Sequence, residues 1–320
     1  MPQPPLVVEA TRNGIVESTH LVDVAVVSTD GTVVASAGEP HRLAAFRSSV
    51  KPIQAAVSAA VGWTTQSSRH RALACSSHNG EPEHVLVACE ILEAAGLDAS
   101  RLGCPPAWPY RASDIAHAGE KRRVQHNCSG KHAAFLAACA AAGFPLESYL
   151  APDHPLQQRI LERITDLAGA RPEALLTDGC GAPTPVLPLA AMARAFLATL
   201  ETPEHDAMLA HPFLVGGTER LDTAVLEAGV LTKAGAEGLS CAAGRVQIEH
   251  GPVAIGTPLG VAVKARDGSI RGRTPALLGV LAALGLLDAE AVPEAIAHPP
   301  TLGGGRHVGR AELQRPFAVE

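Results

Sequence analysis

Ser48 and Lys51 stand three residues apart in Arg47-Ser48-Ser49-Val50-Lys51-Pro52. Three residues is nearly one helical turn, so hydroxyl and amine face each other if a helix starts here. A serine becomes a nucleophile when a base takes its proton, and a neutral lysine can be that base. The role is demanding. Lysine's ordinary pKa is near 10.4, and service at neutral pH needs a drop of about 3 units, or about 4 kcal/mol. Burial and a second positive group would provide it, and Lys264 or a metal is the candidate. The same spacing also fits a helix cap followed by a surface lysine.

Four other segments carry reactive side chains. In Cys75-Ser76-Ser77-His78-Asn79-Gly80-Glu81-Pro82, an apolar segment over 72–77 reads as a strand running into a helix start. That arrangement exposes Ser77 and aims backbone N–H groups at a ligand, though an ordinary serine-capped turn reads the same way. Asn127-Cys128-Ser129-Gly130-Lys131-His132 and Asp178-Gly179-Cys180-Gly181 place two cysteines in polar, glycine-rich turns. With His132 and Asp178 they can assemble a zinc site; the alternative is two free thiols. Gly130-Lys131 is no phosphate loop, because GxxxxGK[ST] is absent. Lys233-Ala234-Gly235, ahead of a β-rich stretch, has the K-x-G form of the third motif of serine penicillin-recognising enzymes. His78, His132 and His154 are polar-site candidates that serve equally well as structural hydrogen-bonding residues.

The elements that must position these groups follow from pattern. Leu21–Ala37 contains two β-branched runs joined by Ser28-Thr29-Asp30-Gly31, a hairpin. A helix is expected after Arg47, capped by Ser48 or Ser49 with Pro52 in its first turn. Others are expected over 81–95, 130–142, 155–168, 187–200 and 273–287. Residues 245–266 read as strands ending at the Asp267-Gly268 turn. Strands thus flank a helical middle, which predicts one catalytic unit over 1–320, an α/β chain whose two ends close into one sheet layer beside a helical lobe.

Composition bounds the function. The 320 residues carry 26 basic and 32 acidic side chains, a net charge of −6, which disfavours nucleic acid and anionic membranes as partners. A hydrophobic fraction of 47% excludes a mainly disordered chain. The longest apolar stretch, Pro275–Leu287, is shorter than the roughly 20 residues that span a bilayer. The opening Met-Pro-Gln-Pro-Pro does not read as a signal peptide, and seven scattered cysteines suit a reducing, cytoplasmic compartment. Only five of the 26 basic residues are lysines, so each lysine is informative. Lys121 lies in a plain charged run; Lys51, Lys131, Lys233 and Lys264 lie among small residues.

The motifs in order resemble the rhizobial-type L-asparaginases, the class 3 or asparaginase II family. The match comprises Arg47-Ser48-x-x-Lys51-Pro52, Cys75-x-Ser77-His78, the 127–132 segment, Asp153-His154-Pro155, Thr177-Asp178-Gly179-Cys180 with Pro183-Thr184-Pro185, Lys233-x-Gly-Ala, and Leu259-Gly260-x-x-Val263-Lys264. It runs from about residue 7 to 310, the 127–132 and 177–180 segments being the most specific. The resemblance implies a fold like serine β-lactamases and glutaminases, an antiparallel sheet layer with flanking helices. It implies hydrolysis of L-asparagine to L-aspartate and ammonia by a homodimer. It implies two Ser–Lys tandems, Ser48 with Lys51 and Ser77 with Lys264; attack by Ser48 is the mechanism expected here, although both serines have a lysine to serve them. Zinc would be held by Cys128, Lys131 and Cys180, with Asp178 and His132 orienting the site and His78 beside Ser77. Arg47 would bind the substrate carboxylate or lock its loop, the second being favoured. Alternatives are a glutaminase-like or β-lactam-active hydrolase of the same fold, or a non-catalytic zinc-binding protein. The glycine-rich loop Leu302–His307 matches no motif of the family.

Overall fold

The computed structural model describes residues 3–65, 67–248 and 253–319. Eleven strands are Leu6–Arg12 (β1), Ile15–Val27 (β2), Val33–Ala37 (β3), Leu43–Ala45 (β4), Ala174–Thr177 (β5) and Pro183–Pro188 (β6), followed by Leu231–Ala234 (β7), Leu239–Arg245 (β8), Pro258–Ala265 (β9), Pro300–Gly303 (β10) and Arg306–Leu313 (β11). Eight form one antiparallel sheet in the order β10-β11-β1-β2-β9-β8-β7, with β3 also on β2. The two ends of the chain therefore meet in one sheet. β4, β6 and β5 form a second, small sheet.

Val22–Val27 is buried on both faces, because helices cover both sides of β2. Alternate side chains enter different cores. Ala25 and Val27 join a cluster with Cys241, Ala262 and Phe196 under the helix Leu189–Leu197 and the helical lobe. Val24 and Val26 join Val261, Val263, Leu277 and Leu281 under the helix Ile270–Ala283. At Gly260 a Cβ would sit 2.4 Å from the Ala193 carbonyl, so glycine lets the first of these helices lie directly on β9.

The hairpin at 28–32 is held by Asp30, which accepts from the Ser28 hydroxyl and the Thr32 amide. Helices at 82–94, 129–142, 155–168, 189–197 and 270–283 lie where the periodicity puts them. Three local expectations change. The apolar run before Ser77 belongs to a helix, Ser68–Ala74, rather than a strand. It is packed among other helices, and a short fully buried run has no period that separates the two states. No serine caps the helix at Lys51. Arg47–Val50 is a 3₁₀ turn leading directly into Lys51–Val61, and the Ser49 hydroxyl donates instead to the Lys233 carbonyl at 2.8 Å. The strand character read over 245–266 ends at Arg245 and resumes at Pro258; Glu249–Pro252 lie outside the described residues. The unmatched loop is a hairpin turn, with Gly304 and Gly305 at φ +58° and +76° between β10 and β11. No helix among the described residues is long and apolar enough to cross a membrane.

Candidate active site

The small sheet sets two loops side by side. Arg47 follows β4, and Asp178–Ala182 forms the turn between β5 and β6. Arg47 takes φ +46°, a strained conformation for a large side chain. Its amide donates to Thr184 Oγ1 at 2.9 Å and its Nε to Asp178 Oδ1 at 2.8 Å. Such strain persists where contacts over-determine it, and it collects at functional sites. Burial opposes ionisation of Asp178, but the Lys131 and Arg47 charges and the Gly179 amide hold its carboxyl below the usual range.

The 3₁₀ turn after Arg47 brings Ser48 to a cavity of about 1260 Å³ and turns Lys51 inward, 1% exposed. The Lys51 Nζ donates to Ser77 Oγ at 3.0 Å and to the Ser76 carbonyl. Ser77 opens on the same cavity, held by its amide on the Val215 carbonyl at 2.9 Å. Lys51 and Ser77 are thus in contact, while Lys51 makes no hydrogen bond to Ser48.

The second lysine behind this pair is Lys233. It lies on the edge strand β7, fully buried, with Nζ 2.5 Å from Asp222 Oδ2. Asp222 also accepts from the Ala234 amide at 2.9 Å, and its burial-raised carboxyl is drawn below the usual range by Lys233. Burial pushes the Lys233 ammonium down to about 8; Asp222 opposes the shift and the nearby Lys51 charge adds to it.

Lys264 is not brought to Ser77. In the sheet Lys233, Cys241 and Ala262 form one row, whereas Lys264 lies in the row of Leu239 and Asp23, two residues further along β9. There its Nζ donates to the Ala265 carbonyl, and its charged neighbours are Glu237, Asp267, Arg42 and Asp23. Strand register therefore moves the expected Ser77–Lys264 tandem apart.

His78 lines the same cavity, but both of its ring nitrogens are engaged by the protein. Its Nδ1 accepts from the Gly80 amide at 3.0 Å, so its Nε2 donates to Ser129 Oγ at 3.0 Å. Burial holds the ring neutral, and it stacks on His84 at 4.8 Å. The loop it fixes carries Ser77.

Cys128, Lys131 and Cys180 converge, all buried. Cys128 precedes the helix Ser129–Ala142, whose first turn carries Lys131 and His132. At Gly130 a Cβ would meet the Leu73 carbonyl at 2.3 Å, so only glycine lets this turn pack so closely on the helix ending at Ala74. Lys131 Nζ donates to Cys180 Sγ at 3.0 Å. A hydrogen bond from Cys180, with Lys51 and Lys131 nearby, draws Cys128 well down, and Cys180 is raised in return. His132 takes the Tyr149 hydroxyl on Nδ1 at 2.6 Å, and its Nε2 is buried without a hydrogen-bond partner among the described residues.

The L-asparaginase II family model matches residues 8–313 of the 320. The chain belongs to this family. Comparison with curated proteins returns no match. Membership of the L-asparaginase II family supports an amidohydrolase with a small-molecule substrate.

Of the residues singled out by sequence, Ser48, Ser77 and His78 line the cavity, Lys51 reaches it through Ser77, and Arg47, Asp178, Cys128, Lys131, Cys180 and His132 lie close by. Asp222 was not foreseen. Its signal is a lone acid in Leu221–Leu226, which is otherwise buried and uncharged. Among the described residues no three His, Cys, Asp or Glu side chains are placed to hold a metal. The donor set implied for zinc is different, two thiols and an amine. Its two soft sulfurs fit a thiophilic dication, and the His132 ring beside Cys180 can hold that sulfur in place.

Proposed function

We propose that this protein is an L-asparaginase, with Ser77 as the nucleophile and Lys51 as its base. The contact between Lys51 Nζ and Ser77 Oγ on the cavity wall carries the reading. A base must lie within hydrogen-bond reach of the proton it removes, and Ser77 meets that condition where Ser48 does not. Lys51 takes the Ser77 proton as the oxygen attacks the side-chain amide carbon. It then returns the proton to the leaving nitrogen, and ammonia departs. Water cleaves the resulting β-aspartyl ester, with Lys51 again as base. Ser48, which lines the same cavity, supplies a hydroxyl to the substrate. Arg47, fastened to Asp178, fixes the turn that presents Ser48 and Lys51.

A serine β-lactamase-like arrangement over the whole chain as one catalytic unit fits this reading. The S-x-x-K turn and the K-x-G strand β7 front one cavity, between an antiparallel sheet and a helical lobe. Zinc would be held by Cys128, Lys131 and Cys180. When bound it supplies a fixed positive charge beside the reacting centre. His132 would orient Cys180. The homodimer follows by family resemblance, and the cytoplasmic setting from the seven scattered cysteines.

Ammonia release from L-asparagine and L-glutamine, and the colour change of a chromogenic cephalosporin on ring opening, test the substrate, beside Ser77→Ala and Lys51→Met. Release from asparagine alone, reduced about 10²–10⁴-fold by either substitution, is expected. A β-aspartyl adduct trapped by rapid quench and located by mass spectrometry on Ser48 would move the attack to that residue. Release of nothing from folded, zinc-loaded protein would sink the hydrolase reading.

A further inference from the structure

Arg273 lies in the cavity wall, and no step above uses it. It projects from the helix Ile270–Ala283 and is 6% exposed. One terminal nitrogen donates to Ser240 Oγ at 3.0 Å and the other to Thr274 Oγ1 at 3.3 Å. The buried Nε has no partner among the described residues. No carboxylate among them lies within ion-pair distance of this guanidinium, whereas the partly exposed Arg42, Arg47, Arg71 and Arg266 each end on one.

The charges around it are few. Asp222 is the acid whose field reaches Arg273, and its oxygens are already held by Lys233 and the Ala234 amide. Arg220 adds a second positive charge to the wall and stacks on Tyr110 at 4.9 Å. Glu219 and Glu227 also line the cavity, both solvent-exposed. A buried cation without a counter-charge is costly, and a ligand anion would remove that cost. The guanidinium has N–H groups to spare, and its planar fork matches a carboxylate. The Thr274 hydroxyl lines the same wall and keeps its own proton to donate.

We propose that Arg273 and Thr274 form a carboxylate-binding subsite of the catalytic cavity, for the acid group of a small amino acid or dicarboxylic acid. The proposal rests on the amidohydrolase reading only for the source of that acid, which is the substrate's own carboxylate or a separate molecule in the same cavity.

Calorimetric titration of succinate and of L-aspartate, at fixed ionic strength, into the native protein and Arg273→Gln is the test. Both acids are expected to bind the native protein, and to bind the variant at least about tenfold more weakly. Arg273→Lys keeps the charge and loses the fork, so an intermediate affinity is expected. Competitive inhibition of ammonia release by succinate would assign the subsite to the substrate's own carboxylate; non-competitive inhibition would assign it to a separate acid. Equal affinities in native protein and folded Arg273→Gln would overturn the proposal, as would no binding of either acid to the native protein. If Arg273→Gln does not fold, the native protein carries the test. Succinate must then raise its Tm above the value in sodium chloride of equal ionic strength, and no rise overturns the subsite. Acid binding through Arg273 in a protein that releases no ammonia would remove the asparaginase reading and leave the subsite standing.

Discussion

Asp222 and Lys233 meet at 2.5 Å, one on a helix and one on the sheet's edge strand, with neither side chain open to water. Removing one charge leaves the other buried and unpaired. Asp222→Asn is therefore expected to destabilise the fold by about 1–2 kcal/mol at neutral pH, because Lys233, held at about 8, sheds its proton rather than stay a stranded ammonium. Urea unfolding at neutral pH measures it. A loss below about 1 kcal/mol would mean that water reaches the pair.

The two lysines of the sheet should behave differently. Lys233→Met removes the cation that lies behind Lys51, and ammonia release is expected to fall about 10²-fold or more. Lys264→Met should change the rate by less than about twofold, since its neighbours are Asp23, Glu237 and Asp267. Stability should move by about 0.5 kcal/mol, as for other partly exposed positions. Comparable losses in both variants would return Lys264 to the site.

Stability should rise with pH across a defined window. Lys233 is held at about 8 in the folded protein, against about 10.4 for an unfolded lysine. Between those values the unfolded chain binds more protons, so raising pH favours the fold. Below about 8 both states are charged and the cost of burying the ammonium is complete. From about pH 8 to about pH 9.5 the unfolding free energy of the native protein should gain up to about 2 kcal/mol relative to Lys233→Met. A flat difference would place the folded pKa elsewhere.

Zinc is open to direct measurement. Native protein purified without chelator should carry about one equivalent per chain if Cys128, Lys131 and Cys180 hold it. Cys128→Ser and Cys180→Ser should each reduce that content severalfold by elemental analysis. Full occupancy in either variant would dismiss the thiols as ligands.

Much of this was legible in the sequence because it is local. The hairpin around Asp30, the long helices and the Ser48-x-x-Lys51 turn follow from short-range pattern. The clustering of Asn127–His132 with Asp178–Cys180 was one of two readings of cysteines in polar, glycine-rich turns, and family resemblance chose between them. What pattern hides is register and partner choice. Lys233 and Lys264 sit in similar β-rich surroundings, and only strand pairing decides which of them lies behind Ser77. Lys51 was expected on its near neighbour Ser48 and reaches Ser77 because the loop after Ala74 is tied to Val215. The small sheet under Arg47 escaped notice because β5 is exposed throughout and β6 carries three prolines in six residues.

The sheet order bears on how the chain reaches this state. Val24 pairs with Val263, and Val8 pairs with Leu313, so neighbouring strands are separated by most of the sequence. Closing such distant pairs costs chain entropy before any contact repays it, which slows folding. The helical segments between β4 and β7 are synthesised and can condense first, while β1 and β2 wait with their edges unpaired. Folding on the ribosome should therefore leave a long-lived species with a formed helical lobe and an exposed valine-rich hairpin. That species would be the one that chaperones meet and that aggregates when expression is fast.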